Sequence, residues 1–251
     1  MPEASERAKL KLPTLQAVMD AVKMLLLFEA SQGLTLLKLP QFFFSARQLQ
    51  THAWIGVYEG HIWELAFALG FIAVVGKGQF ANWGLNLRNA ALSWQILWKF
   101  CLVFALITLA VDVAPPLLQH DLDLGVFGPP TPLNIAGWLT FEWIFVGIAE
   151  EIMFRGAIHT YLTESWPGVL QIRGLAIPTA GIVTTLLFCL AHINPLHPQI
   201  YWPQQLFAFG LGIYYSVVYH RTGSLLNPIL AHNCADGLIV TAIYLVYFKL
   251  H

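Results

Sequence analysis

Glu150 and Glu151 stand side by side in an apolar run, with Arg155 four residues further on. Two more motifs follow in later apolar runs, Phe188-x-x-x-His192 and His232-x-x-x-Asp236. A charge in hydrocarbon costs a few kcal/mol or more, so such side chains turn toward a protein interior and usually serve a function. Three motifs on three apolar segments predict a buried polar site assembled from separate helices.

Helical spacing assigns the side chains to faces. Glu151 and Arg155 are i,i+4 in the order that favours an ion pair. Glu150 is turned about 100° away from Glu151, which leaves it free for another task. Phe188 and His192 share a face, so the ring can wall a cavity while the imidazole points into it. His232 and Asp236 repeat the spacing, and there the carboxylate can fix the imidazole tautomer or hold a polar substrate group. At about 1.5 Å of rise per residue, the three motifs reach depths that permit a common cavity, with His192 the deepest.

Two chemical designs fit a Glu and two His in this setting. In one, Glu150 and His192 draw a proton from a water that attacks an amide carbonyl, and His232 donates to the developing oxyanion. In the other, Glu150, His192 and His232 hold a catalytic zinc. The His-Glu-x-x-His signature is absent, so water activation without metal is favoured and no cofactor is expected. Cys101, Cys189 and Cys234 lie in apolar stretches without metal-ligand spacing and read as small buried hydrophobes.

The elements that position these residues are membrane helices. The chain has 251 residues, 57% hydrophobic and 11% charged, where soluble domains run near 25% charged. Mean hydropathy is +0.62. An all-α, polytopic transmembrane bundle of about six to eight helices is expected, embedded in the lipid bilayer of a cell membrane as a multi-pass protein. Nine Trp agree with interfacial belts. A net charge of −1 with no basic run argues against a nucleic-acid partner. The polar N-terminus lacks the basic-apolar-small pattern of a signal peptide, so insertion should rely on internal segments.

Residues 1–59 read as an N-terminal segment, with an exposed tail over 1–14 and a first span or interfacial helix over 15–37. A short interfacial helix near Gln41–Leu49 falls in the connector that follows. Residues 60–251 read as the transmembrane bundle. Its spans fall at about 60–76, 95–114, 136–160, 177–194, 204–220 and 225–249. Pro115-Pro116 should stop the second and Pro195 the fourth. Lys and Arg gather in alternate loops, which places 77–94, 161–176 and 221–224 on the cytoplasmic side. Glu64 and Glu142 are further intramembrane carboxylates; Glu142, eight residues before Glu150 and on its face, can line the cavity or lie near the far interface, and the interface is preferred. Asp112 marks a span end, His197 is solvated, and Asn233 faces away from the site.

At EEIMFR (150–155), FCLAH (188–192) and HNCAD (232–236) the chain resembles the CAAX prenyl protease type 2 family, also known as the CPBP or Abi family. RTGSLLNPILAHN (221–233) resembles that family's lead-in to its last motif. The likeness covers about 136–240, the expected catalytic core. It implies an intramembrane glutamate endopeptidase that cuts a membrane-associated or prenylated protein or peptide, in eukaryotic relatives by releasing the last three residues. Carried over, Glu150 activates water with His192, while His232 and residue 236 form the oxyanion site. Glu151, Arg155 and Phe188 take structural or orienting parts. Well-known members have Asn where this chain has Asp236; an ionised Asp cannot donate, so Asp236 must be protonated or must orient His232. The alternative is a non-catalytic protein of the same fold, acting in bacteriocin self-immunity or as a scaffold. A proton-relaying transporter is disfavoured by the ordered motifs and by the lack of paired broken helices.

Overall fold

The computed structural model describes residues 13–193 and 198–251. The expectations for residues 1–12, Pro195 and His197 lie outside these. The described chain is helical apart from one short antiparallel hairpin. Its main helices are α1 (Leu15–Gly33), α2 (Trp54–Val75), α3 (Ala90–Gln119), α4 (Pro132–Ser165), α5 (Thr179–Ala191), α6 (Trp202–Thr222) and α7 (Leu226–Leu250). The hairpin pairs β1 (Val169–Ile172) with β2 (Leu175–Pro178) in the loop before α5. Helices α2, α3, α4 and α7 are each long and apolar enough to cross a membrane. In lipid a helix is the natural choice, because it satisfies every backbone polar group internally.

Helix α1 begins on a side-chain cap, Thr14 accepting from Ala17 N, and lies along α2. Its Phe28 meets Phe154 of α4 with ring centroids 5.4 Å apart. The short helix Ala46–Thr51 starts with a capping box between Ser45 and Gln48 and is followed by α2. Exposed Phe42 and Phe43 precede it, as suits a segment lying at an interface.

The loops with an excess of Lys and Arg gather at one end of the bundle. Asn86 Nδ2 donates to Gly223 O at 2.9 Å, Asn89 Nδ2 donates to Thr222 O at 3.0 Å, and Leu225 N donates to Gly84 O at 2.9 Å. At the opposite end, buried Asn134 ties α4 to the first residue of α2 and to the turn before it. Its Oδ1 accepts from Trp54 Nε1 at 3.2 Å, and its Nδ2 donates to Thr51 O at 2.9 Å.

Several helices differ from expectation, and α2 begins at Trp54, ahead of the expected start near residue 60. Pro115-Pro116 do not end the second span: α3 continues to Gln119, and Asp112 lies within it rather than at its end. A π-turn over Leu109–Val113 precedes the prolines, which then occupy the first turn of the next helical stretch, where a missing N–H costs little. Helix α4 carries two π segments, Phe141–Phe145 and Ile152–His159, and the Glu-Glu pair lies on the α-helical turn between them.

The crossing of α4 and α7 is close, and Gly147 permits it. A Cβ at that position would fall 2.7 Å from Ile229 O and 2.6 Å from Asn233 Oδ1. Asn233 turns away from the site, as expected, and serves the backbone of α4. It accepts from Gly147 N at 2.8 Å and donates to Ile144 O at 3.0 Å, beside the π segment. Gly147→Ala should therefore push the two helices apart and cost about 1–3 kcal/mol. Thermal unfolding in detergent checks this: an unchanged midpoint would contradict the close-packed crossing.

Candidate active site

The middle of α4, the last turn of α5 and the first half of α7 converge on one cavity of about 300 Å³. Glu150, His192, His232 and Asp236 all line it, with Phe188 in its wall. Phe207, Ala208 and Leu211 of α6 give part of the lining an apolar surface. His192 reaches the cavity because α5 is short. Its 13 residues span only about 20 Å, and the helix ends one residue before His192.

The two adjacent glutamates do different jobs. Glu151 is fully buried, and its Oε1 accepts from Arg155 Nη1 at 2.9 Å. Arg155 also donates to Gly212 O of α6 at 3.1 Å. Its guanidinium lies 4.7 Å from the Phe188 ring centroid and 5.1 Å from that of Tyr215, held between two aromatic faces that favour a cation. Glu150 faces the cavity, as the 100° rotation requires. Its Oε1 lies 3.1 Å from His61 Nε2 and its Oε2 lies 3.6 Å from His232 Nε2.

His232 is oriented from both sides. Its Nδ1 lies 2.7 Å from Glu151 Oε1. A carboxylate already paired with Arg155 can only accept, so Nδ1 carries a proton. Its Nε2 faces Asp236 Oδ2 at 3.1 Å. Tyr215 stacks on the ring at 5.2 Å with planes 13° apart, and Phe188 meets it edge-on at 6.2 Å. Glu151, not Asp236 alone, thus sets the imidazole, and one buried carboxylate links the Arg155 anchor to the site.

The tautomer of His192 follows from the same reasoning. Its Nδ1 lies 2.8 Å from Phe188 O, and a carbonyl oxygen only accepts. In the neutral ring Nε2 then keeps its lone pair, as proton acceptance from water requires.

Three residues modify the sequence reading. Glu142 is not at the far interface but lines the cavity. Eight residues overshoot two α-turns by about 80°, and the wider π-turn at Phe141–Phe145 takes up part of that offset, turning Glu142 toward Glu150. His61 went unremarked although it bonds Glu150 directly. Its span begins at Trp54, six residues earlier than the apolar run suggests, so His61 lies well inside the helix. Glu64 shares its face at i,i+3 and is 2% exposed. Among the described residues, the group of His, Asp and Glu atoms that gathers within 4.8 Å is His61, Glu64 and Glu150.

Residues 132–238 match a family model described as type II CAAX prenyl endopeptidase Rce1-like. No curated protein and no solved structure matches the chain significantly. With its long apolar helices, the match makes the chain an integral membrane protein.

Proposed function

We propose that the protein is an intramembrane endopeptidase, a reading supported by the match of residues 132–238 to the Rce1-like type II CAAX prenyl endopeptidase model. It hydrolyses a peptide bond of a membrane-associated or prenylated protein or peptide, without a metal in the chemical step. The observation that carries this reading is the gathering of Glu150, His192, His232 and Asp236 on one cavity, large enough for a short stretch of peptide and a water.

In this reading a water sits between Glu150 Oε2 and His192 Nε2. These take its proton as the oxygen attacks the substrate carbonyl. The carbonyl oxygen becomes an oxyanion beside His232 Nε2, which, with the ring held as an imidazolium between Glu151 and Asp236, carries a second proton and donates it to the oxyanion in place of Asp236. The proton then passes to the leaving amine. Glu151 keeps His232 aimed throughout, since the 2.7 Å bond to Nδ1 is made on the buried side. Asp236 acts by orienting and releasing His232, which resolves the difficulty of a carboxylate at an oxyanion site.

Reconstituted protein should cut a prenylated peptide ending in a CaaX sequence, read by mass spectrometry; an intact peptide would count against a prenylated substrate. Asp236→Asn should keep the rate within about tenfold, because an amide still accepts from His232 and adds a donor toward the oxyanion. Asp236→Leu should lose about 10²–10³-fold, the scale of one lost oxyanion contact. Equal rates for the two variants would remove residue 236 from the reaction.

A further inference from the structure

Beside Glu150, at the carboxylate oxygen that faces His61 rather than His232, we infer that His61, Glu64 and Glu150 form a site for one divalent transition-metal ion. His61 and Glu64 lie on one face of α2, and Glu150 approaches from α4. A ligand atom of each residue lies within 4.8 Å of the other two. Two ligands at about 2.1 Å from a tetrahedral ion stand about 3.4 Å apart, and His61 Nε2 and Glu150 Oε1 stand at 3.1 Å.

The second observation is a carboxyl without a partner. Glu64 is 2% exposed, and its Oε1 has no hydrogen bond. A buried polar atom left unpaired is costly and calls for a missing ligand. The third is the orientation of His61. Its Nδ1 lies 2.8 Å from Val57 O, so that nitrogen donates and Nε2 is left facing Glu150, where it donates to the carboxylate when protonated and offers its lone pair once an ion replaces that proton. Metal-binding histidines are usually fixed in this way, through the other ring nitrogen.

The ligand chemistry selects the ion. An imidazole with two carboxylates suits zinc, cobalt or manganese better than calcium or magnesium, which take oxygen ligands. The ion takes Glu150 Oε1 and leaves Oε2 facing the cavity water. The site thus goes beyond the proposed proteolysis, and metal binding and peptide cleavage can each hold or fail alone.

The test uses the full-length chain, stripped with chelator in detergent and titrated with Co²⁺. Visible absorption and elemental analysis should give one ion per chain, and X-ray absorption should find one imidazole on it. Glu64→Gln should weaken binding at least about tenfold, and His61→Gln should remove stoichiometric uptake. His192→Gln and Asp236→Asn should bind as the unaltered chain does. Absence of stoichiometric Co²⁺, two imidazoles on the ion, or unchanged binding in His61→Gln would overturn the site. The first of these results would leave the cluster holding a proton instead. Should the His61 or Glu64 variants fail to fold, the imidazole count on the unaltered chain decides.

Discussion

Glu150→Gln is expected to slow peptide cleavage by about 10²–10⁴-fold, the range over which a positioned general base acts. The substitution keeps size and shape, so the thermal midpoint in detergent should move little. The reason lies in where the side chain sits. The Glu150 carboxylate is in the cavity wall, partly open, with His61 on one oxygen and His232 beside the other. An amide there can accept and donate hydrogen bonds but cannot take a proton from water. Steady-state rates for the folded variant, compared with the unaltered chain in the same vesicles, check the effect. Retained activity would leave the cavity with another base, and retained cellular function without activity would favour the scaffold reading.

Arg155→Leu should have the opposite profile, a loss of the fold with activity lost as a consequence. The guanidinium is fully buried and joins three helices: it bonds Glu151 within α4 and Gly212 on α6, and stacks on Phe188 of α5. Removing it leaves the Glu151 carboxylate buried without its cation, which costs about 3–5 kcal/mol. Glu151→Leu should cost a similar amount from the other side. The double variant Glu151→Met/Arg155→Met should recover part of the loss, since apolar residues of similar volume can replace a buried pair. It should still be inactive, because His232 Nδ1 would have no acceptor. Thermal unfolding of the three variants, with cleavage measured on whichever folds, separates the two contributions. A double variant that cleaves normally would show that Glu151 does not orient His232.

The different fates of two neighbouring glutamates were legible in the sequence, because a 100° step on a helix and an i,i+4 arginine suffice to separate them. The apolar runs likewise marked most of the helices, since lipid demands apolar length. What the sequence hid follows from backbone irregularity. The π-turns of α3 and α4 leave no periodic signature, so the run through Pro115-Pro116 and the inward turn of Glu142 could not be read from a 3.6-residue repeat. His61 was hidden by a boundary. Gly56, Glu59 and Gly60 dilute the apolar signal, and the helix holding His61 starts ahead of it, at Trp54. The H-x-x-E spacing of His61 and Glu64 was the available clue. The second bond on His232 was hidden for a different reason: Glu151 appeared committed to Arg155, yet its Oε1 serves both groups.

The most direct test of the account is isotopic. A prenylated CaaX peptide is incubated with the protein in vesicles prepared in H₂¹⁸O, and the products are weighed by mass spectrometry. Hydrolysis by a cavity water predicts one ¹⁸O in the newly formed carboxyl terminus, with the labelled product about 10²–10⁴-fold scarcer when Glu150→Gln replaces the unaltered chain. Labelled product appearing equally with both proteins, or product that carries no label, would contradict it.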